Sequence, residues 1–454
     1  PALNADEAAI GYNAYSLLLT GKDEHGNSWP IHFQSFNDYK PGLYFYTVLP
    51  FVKVLGLNEW AVRIPGVAFG VLTVLIIYLL TKELFKDKQS LAKSEFGEKI
   101  SLFSSLLLAI SPWHIHFSRG GWEVNLATFL ITLGVWLFLK YVNEPKQKYL
   151  YLSVISLALS LYAYHAARVV VPLLGMSLVL IYFKDLFRKA KPVVLGGILL
   201  LLLLLPLAKD IVGPAGFSRA AGVGLFADPG PLNRINEQRG EHADFTSITP
   251  KIFHNKAVNY GLAFFENWIS HYHGEFLFLS GDVIQRNKVP ETGELYLFEI
   301  ITVSLGVIFL LRKFNNSSKV VFSWLLIAPL ASALTFQSPH ALRAHNMVIP
   351  LTIISAVGLT MLFNWFGRMG KYKNALCVIF SLVMFLNFAT YLHMYWVHMS
   401  KEYPYSSQYG VKELVDYVKK NEEAYKQSLA GSASKNVVVT DRYDQPYILF
   451  LFYM

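Results

Sequence analysis

Apolar runs close to twenty residues long recur in this chain from residue 62 to residue 397. A helix needs about 20 apolar residues to cross a bilayer core. The runs therefore predict an all-α polytopic membrane protein of about ten spans. They fall at 62–80, 99–112, 123–140, 149–164, 168–183, 192–208, 297–311, 320–336, 347–366 and 374–396. Composition agrees: 16% of residues are charged, against about 25% in ordinary soluble domains. The 33 Phe, 26 Tyr and 9 Trp suit rings held at headgroup depth. Residues 4–19 and 41–56 read as helices lying in the interface. Asn4 and Glu7 open the first at capping-box spacing. Pro50 and Lys53 interrupt the second, and 256–279 reads as a third.

Lysine and arginine set the orientation. Loops 81–100, 140–148, 184–191, 312–319 and 367–373 carry eighteen of them. The alternate short loops 113–122, 164–168 and 337–345 carry three. The basic set is expected in the cytoplasm and the other set outside. The net charge of +9 thus reports topology, and no nucleic-acid partner is implied. Five regions follow: a first outer loop, 1–61; a membrane bundle, 62–208; a long outer loop, 209–296; a second bundle, 297–396; and a tail, 397–454. In the tail a helix at 407–429 and a strand at Val437-Val438-Val439-Thr440 predict the start of a small outer αβ domain. The chain opens at Pro1 without a signal peptide and closes in an apolar run, Leu449 to Met454. That pattern predicts a chain continuing both ways, with one more span upstream. Cys377 is the one cysteine, so no internal disulfide is possible and no thiolate metal site is indicated. There is no Walker motif, dinucleotide fingerprint, zinc spacing or repeat of fixed period.

The chemistry-bearing side chains fall on the outer side: Asp6, Glu7, Asp38, Lys40, Arg63, Arg119, Glu123, Asp282, Arg286, His340 and Arg343, with His114, His116, His165, Arg168 and His345. No acid is expected at mid-bilayer, which counts against an ion-coupled transporter. Asp6 suits the first turn of a helix, where it meets the dipole, or a general base taking the proton of an acceptor hydroxyl. Glu7 suits the capping partner of Asn4. Lys40 is either a snorkelling lysine or a point charge on a leaving phosphate. Arg63 either anchors its span at the headgroups or binds lipid phosphate. Glu123 orients an acceptor or pairs with Arg119. His114 and His116, two residues apart, lack the i, i+4 spacing of a helical zinc site, so a divalent metal is the less favoured reading. His340 and Arg343 anchor a helix end or clamp a donor phosphate.

Several stretches together resemble the protein O-mannosyltransferase and aminoarabinose-transferase group, polytopic C-type glycosyltransferases that use polyprenyl-phosphate sugars. They are Asp6-Glu7, Lys40-Pro41, Ala61-Val62-Arg63-Ile64-Pro65-Gly66, Ser111-Pro112 with Arg119 and Glu123, Gly281-Asp282, Gly293-Glu294-Leu295-Tyr296, and His340 with Arg343. The resemblance implies that Asp6 is the catalytic base, that Lys40 contacts the donor phosphate, and that Glu123 is a second acid. Two features depart from the group: Pro41-Gly42 replaces its doubled proline, and its first helix is absent from these residues.

The expectation is an inverting membrane glycosyltransferase moving a monosaccharide from a polyprenyl-phosphate donor to a hydroxyl of a protein, glycolipid or polysaccharide. Asp6 and Glu123 are its catalytic candidates, and Lys40, Arg63 and Arg343 its phosphate ligands. Glu7, Asp38, Arg119, His340 and Asp282 are further candidates. No cofactor or metal is required for such a displacement. The setting is a prokaryotic cytoplasmic membrane, with the site outside and lipids around it. The alternatives are a flippase or transporter of lipid-linked sugars, or a lipid-binding scaffold.

Overall fold

The computed structural model describes residues 3–36, 38–86, 91–188, 190–211, 222–428, 439–440, 442 and 445–454. The first helix, α1 (Ala5–Thr20), starts on a complete capping box. Asn4 Oδ1 accepts from Glu7 N at 2.9 Å, and Glu7 Oε2 accepts from Asn4 N at 3.3 Å. The helix stops at Gly21, whose φ of +72° suits glycine. An antiparallel hairpin follows, β1 (His32–Ser35) against β2 (Asp38–Pro41), with Phe33 opposite Lys40. The sequence reading has no counterpart to this hairpin. Four-residue strands are too short to show a readable alternation. After it, α2 (Leu43–Leu55) buries Tyr44, Phe45, Val48 and Val52, packing on α1 and on α3 (Glu59–Leu84).

All ten expected spans contain helix, but their lengths differ. Among the described residues five helices are long and apolar enough to cross a membrane: Glu59–Leu84, Glu123–Asn143, Ala190–Asp210, Ala341–Phe366 and Gly370–Glu402. A sixth candidate is bent by 58° where α4 (Leu91–Ile110) meets α5 (Pro112–Ser118). Pro112 cannot donate to the preceding turn, and Ser111 caps the new one, its Oγ accepting from His114 N at 3.3 Å. Beyond α6 (Glu123–Asn143), α7 (Gln147–Leu161) and α8 (Ala167–Ile181) have 15 residues each. A short α9 (Phe183–Phe187) leads into α10 (Ala190–Ile211). Later, Glu299–Arg312 has 14 residues and Asn316–Ile327 has 12, the latter interrupted at Pro329 before Leu330–Ala333.

Small residues let the helices close up, as membrane packing requires. A Cβ on Gly306 would overlap the Ile354 carbonyl, and one on Gly358 the Thr302 carbonyl, so Glu299–Arg312 and Val348–Phe366 touch backbone to backbone. The tail folds back on the beginning. Its helix Pro446–Tyr453 packs on α1, with Phe452 against Gly11. Tyr453 Oη accepts from Leu3 N and donates to Glu59 Oε1, both at 3.2 Å. The expected tail helix is present at Val411–Ser428. Of the expected strand, Val437 and Val438 lie outside the described residues, and Val439 and Thr440 are not in a strand.

The two ends of the bundle are chemically distinct. At one end the basic loops meet: Asn143 Nδ2 donates to Glu83 Oε2 at 2.8 Å, Lys86 lies 3.7 Å from Glu144, and Ser317 Oγ donates to Leu84 O at 2.5 Å. Toward the other end of α3, about 30 Å from Glu83 by helix rise, Arg63 meets Glu7.

Candidate active site

At that second end a cavity of about 1110 Å³ opens, lined by Asp6, Asp38, Lys40, Glu123, His340 and Arg343 among others. Four separate parts of the chain supply these six. Asp6 sits in the first turn of α1, Asp38 and Lys40 on β2, and Glu123 in the first turn of α6. His340 is the residue before Ala341–Phe366, and Arg343 lies in that helix's first turn.

Lys40 Nζ is ion-paired with Asp6 Oδ1. Burial pulls the Lys40 ammonium down, but the charges of Asp6, Glu123 and Asp38 outweigh it and hold the group above its ordinary value. Lys40 is therefore a cation at neutral pH. The other Asp6 oxygen, Oδ2, faces Arg286 Nη1 at 3.7 Å. Asp38 Oδ1 accepts from Tyr39 N at 2.8 Å. Glu123 is 7% exposed and faces the cavity. Arg343 Nη1 donates to Thr335 Oγ1 at 2.6 Å, and its Nη2 to Gln337 Oε1 at 3.2 Å. These bonds fix the guanidinium on the cavity wall.

Four candidates lie outside the lining. Glu7 takes both Nε and Nη2 of Arg63, at 2.7 and 2.8 Å, and also Gly121 N at 2.9 Å. Burial pushes Glu7 up, yet the Arg63 bonds and charge, with two backbone N–H groups, hold it below the usual carboxylate range. The phosphate-binding role expected for Arg63 thus has no support in the geometry: its fork is directed at Glu7. Arg119 lies over the Tyr395 ring at 4.9 Å, with Nη2 3.7 Å from Met399 Sδ. Asp282 is a buried bracket. It accepts from Ile284 N at 2.8 Å, Asn287 Nδ2 at 2.8 Å and Ala341 N at 2.6 Å. It so ties the turn carrying Arg286 to the segment carrying His340, and burial raises its pKa despite those bonds.

Two features were not assigned a role from the sequence. Arg286 stood there only as a polar residue of the outer loop, and its approach to Asp6 needs the bracket at Asp282. The second is a relay behind β2. His165 Nε2 donates to Tyr39 O at 2.8 Å, and Arg168 Nη1 donates to His165 Nδ1 at 3.2 Å. Arg168 Nη2 reaches His32 Nε2, and His32 Nδ1 reaches Asp210 at the end of α10. His114 and His116 bond the backbone carbonyls of Gly70 and Arg286, at 3.1 and 2.9 Å. Among the described residues no three His, Cys, Asp or Glu gather as a metal site would require.

Comparison with known proteins points the same way as the sequence resemblance. Residues 39–208 match the family described as dolichyl-phosphate-mannose-protein mannosyltransferase, a stretch that starts on β2 and includes Lys40 and Glu123. The resemblance to the protein O-mannosyltransferase and aminoarabinose-transferase group therefore stands. An uncharacterized protein of Aquifex aeolicus (strain VF5) is 26% identical over 143 residues, 32% of this chain and 27% of that one. The crystal structure of the Archaeoglobus fulgidus oligosaccharyltransferase with Zn and sulfate superposes at a TM-score of 0.58 with 12% identity, covering 99% of this chain. This chain spans 57% of that protein's length. The apo structure of ArnT from Cupriavidus metallidurans gives a TM-score of 0.49 at 12% identity, over 99% of this chain and 71% of that one. The superposition on the archaeal oligosaccharyltransferase shows a shared fold.

Proposed function

We propose that this chain transfers a monosaccharide from a polyprenyl-phosphate donor to an acceptor hydroxyl, with inversion at the anomeric carbon. The observation that carries the reading is the meeting of Asp6, Lys40, Glu123 and Arg343 in one cavity at the end of the bundle away from the basic loops. In the proposed step the acceptor oxygen attacks C1 of the donor sugar from the face opposite the phosphate. The new O–C1 bond forms as the C1–O bond to phosphate breaks, and that electron pair leaves on the polyprenyl phosphate. The acceptor proton passes to an Asp6 carboxylate oxygen. Lys40 and Arg343 hold the departing phosphate, with Arg286 close by. Glu123 orients the acceptor. Fixed cations aimed at developing charge are each worth on the order of 10²–10³ in rate.

Release of polyprenyl phosphate in detergent tests this, because a flippase needs a sealed bilayer to show activity and a transferase does not. Asp6→Asn is expected to lose transfer while still purifying as a folded protein. Lys40→Met and Arg343→Met should each fall by on the order of 10²–10³. Near-normal transfer by Asp6→Asn would remove Asp6 from the mechanism.

A further inference from the structure

We infer that the acceptor is itself a saccharide, seated on Tyr405 and Tyr409; this rests on the transferase reading above. Both rings line the cavity, and they are 79% and 64% exposed. They belong to one tight turn. Gln408 N donates to Tyr405 O and Tyr409 N to Pro404 O, both at 3.0 Å, and Gln408 itself adopts a φ of +50°. The turn is clamped on either side of Asp6. Gln408 Oε1 accepts from Ala5 N at 2.5 Å, one residue before the acid. Ser406 Oγ donates to Gln285 Oε1 at 2.9 Å, one residue before the arginine that faces the acid. The turn that carries the two rings is therefore tied to the residue before the carboxylate proposed to take the acceptor proton.

Ring chemistry selects the class. A pyranose offers an apolar C–H face and a rim of hydroxyls, and tyrosine offers an apolar face and a polar tip. Gln408, Thr440 and Arg442 also line the cavity and supply polar atoms for hydroxyls. The volume of about 1110 Å³ reaches the top of the usual range for small-ligand sites, about 300–1,000 Å³, so a donor sugar leaves room for more. One recurring mode holds an extended peptide by main-chain bonds to a free strand edge. On β2, the strand that lines the cavity, the Tyr39 carbonyl already accepts from His165.

The test uses the full chain in detergent, with Asp6→Asn to prevent turnover. Saturation-transfer NMR is run with uncharged hexose di- to tetrasaccharides, with a Ser/Thr-rich peptide, and with headgroup-bearing micelles. Oligosaccharide binding is expected, weakened on the order of tenfold by Tyr405→Ala or Tyr409→Ala and kept by Tyr→Trp at either position. In the active chain the same alanine variants should raise KM for a saccharide acceptor and leave kcat near its starting value. Peptide binding without oligosaccharide binding overturns the proposal. So do alanine variants that bind sugars normally, or that lose micelle association alone. Release of polyprenyl phosphate by the active chain, offered the donor with each acceptor class in turn, keeps the two readings apart. Its absence with ring-dependent sugar binding defeats the transferase and leaves the saccharide site. Its presence with indifferent rings defeats the saccharide site alone.

Discussion

Asp6 and Glu7 are neighbours in one helical turn, about 100° apart around α1, and they end in opposite surroundings. Asp6 is turned to the cavity, and Glu7 is buried in a bidentate pair with Arg63. Removing one partner of a buried pair leaves the other charge uncompensated, at a cost of about 3–5 kcal/mol. Glu7→Gln should therefore lower thermal stability in detergent sharply, and Glu7→Gln with Arg63→Met should recover much of the loss. Equal melting of the wild type and the single variant would contradict this. The pH dependence has a definite sign. Glu7 is held below its ordinary value, so its contribution is complete above the ordinary carboxylate range and is lost as pH falls through the lowered one. The Asn4–Glu7 box was legible because its spacing is local. The bond from Glu7 to Arg63 spans 56 positions, and no local pattern announces it.

Lys40 owes its place to an element invisible in the sequence. The hairpin strands have four residues each, and what fixes β2 is the relay Asp210–His32–Arg168–His165–Tyr39 from α10 and α8. Within it, burial and the Arg168 charge keep His32 below its ordinary value, although Asp210 opposes them. Arg168 is thus a positioning residue for Lys40. A misplacement of about 1 Å can cost on the order of 10²-fold. Arg168→Met should accordingly lower kcat by up to that factor, with donor KM and melting temperature little changed. A fall in melting temperature with kcat preserved would make the relay purely structural. Lysine at 168 should not restore the rate, since it lacks the fork that reaches two imidazoles. By contrast, helix at each of the ten expected spans was readable from the apolar runs, although among the described residues five of them are helices long and apolar enough to cross. Their shortening was less so, because it comes from single residues such as Pro112 and Pro329 that a hydropathy window averages away.

At the scale of the molecule, the charge count and the packing agree on two ends. Three basic loops, around Lys86, Lys146 and Lys319, are joined by the bonds of Asn143, Lys86 and Ser317. Part of the cavity's lining comes from the short loops that hold Trp122, His165 and Arg343, which carry three lysines and arginines between them. Because cytoplasmic loops retain positive charge, the cavity should open outside. Cysteine labelling decides this cleanly, since Cys377 is the sole cysteine and can be replaced. In a Cys377→Ser background, Thr246→Cys stands exposed in the 222–296 segment and Lys146→Cys in an exposed basic loop. A membrane-impermeant maleimide should label position 246 in intact cells and position 146 only after permeabilisation. The reverse pattern would turn the cavity to the cytoplasm. Asp6, Lys40 and Arg343 would then meet a donor on the other leaflet, and the outer-face acceptor would have to be given up while the fold stood unchanged.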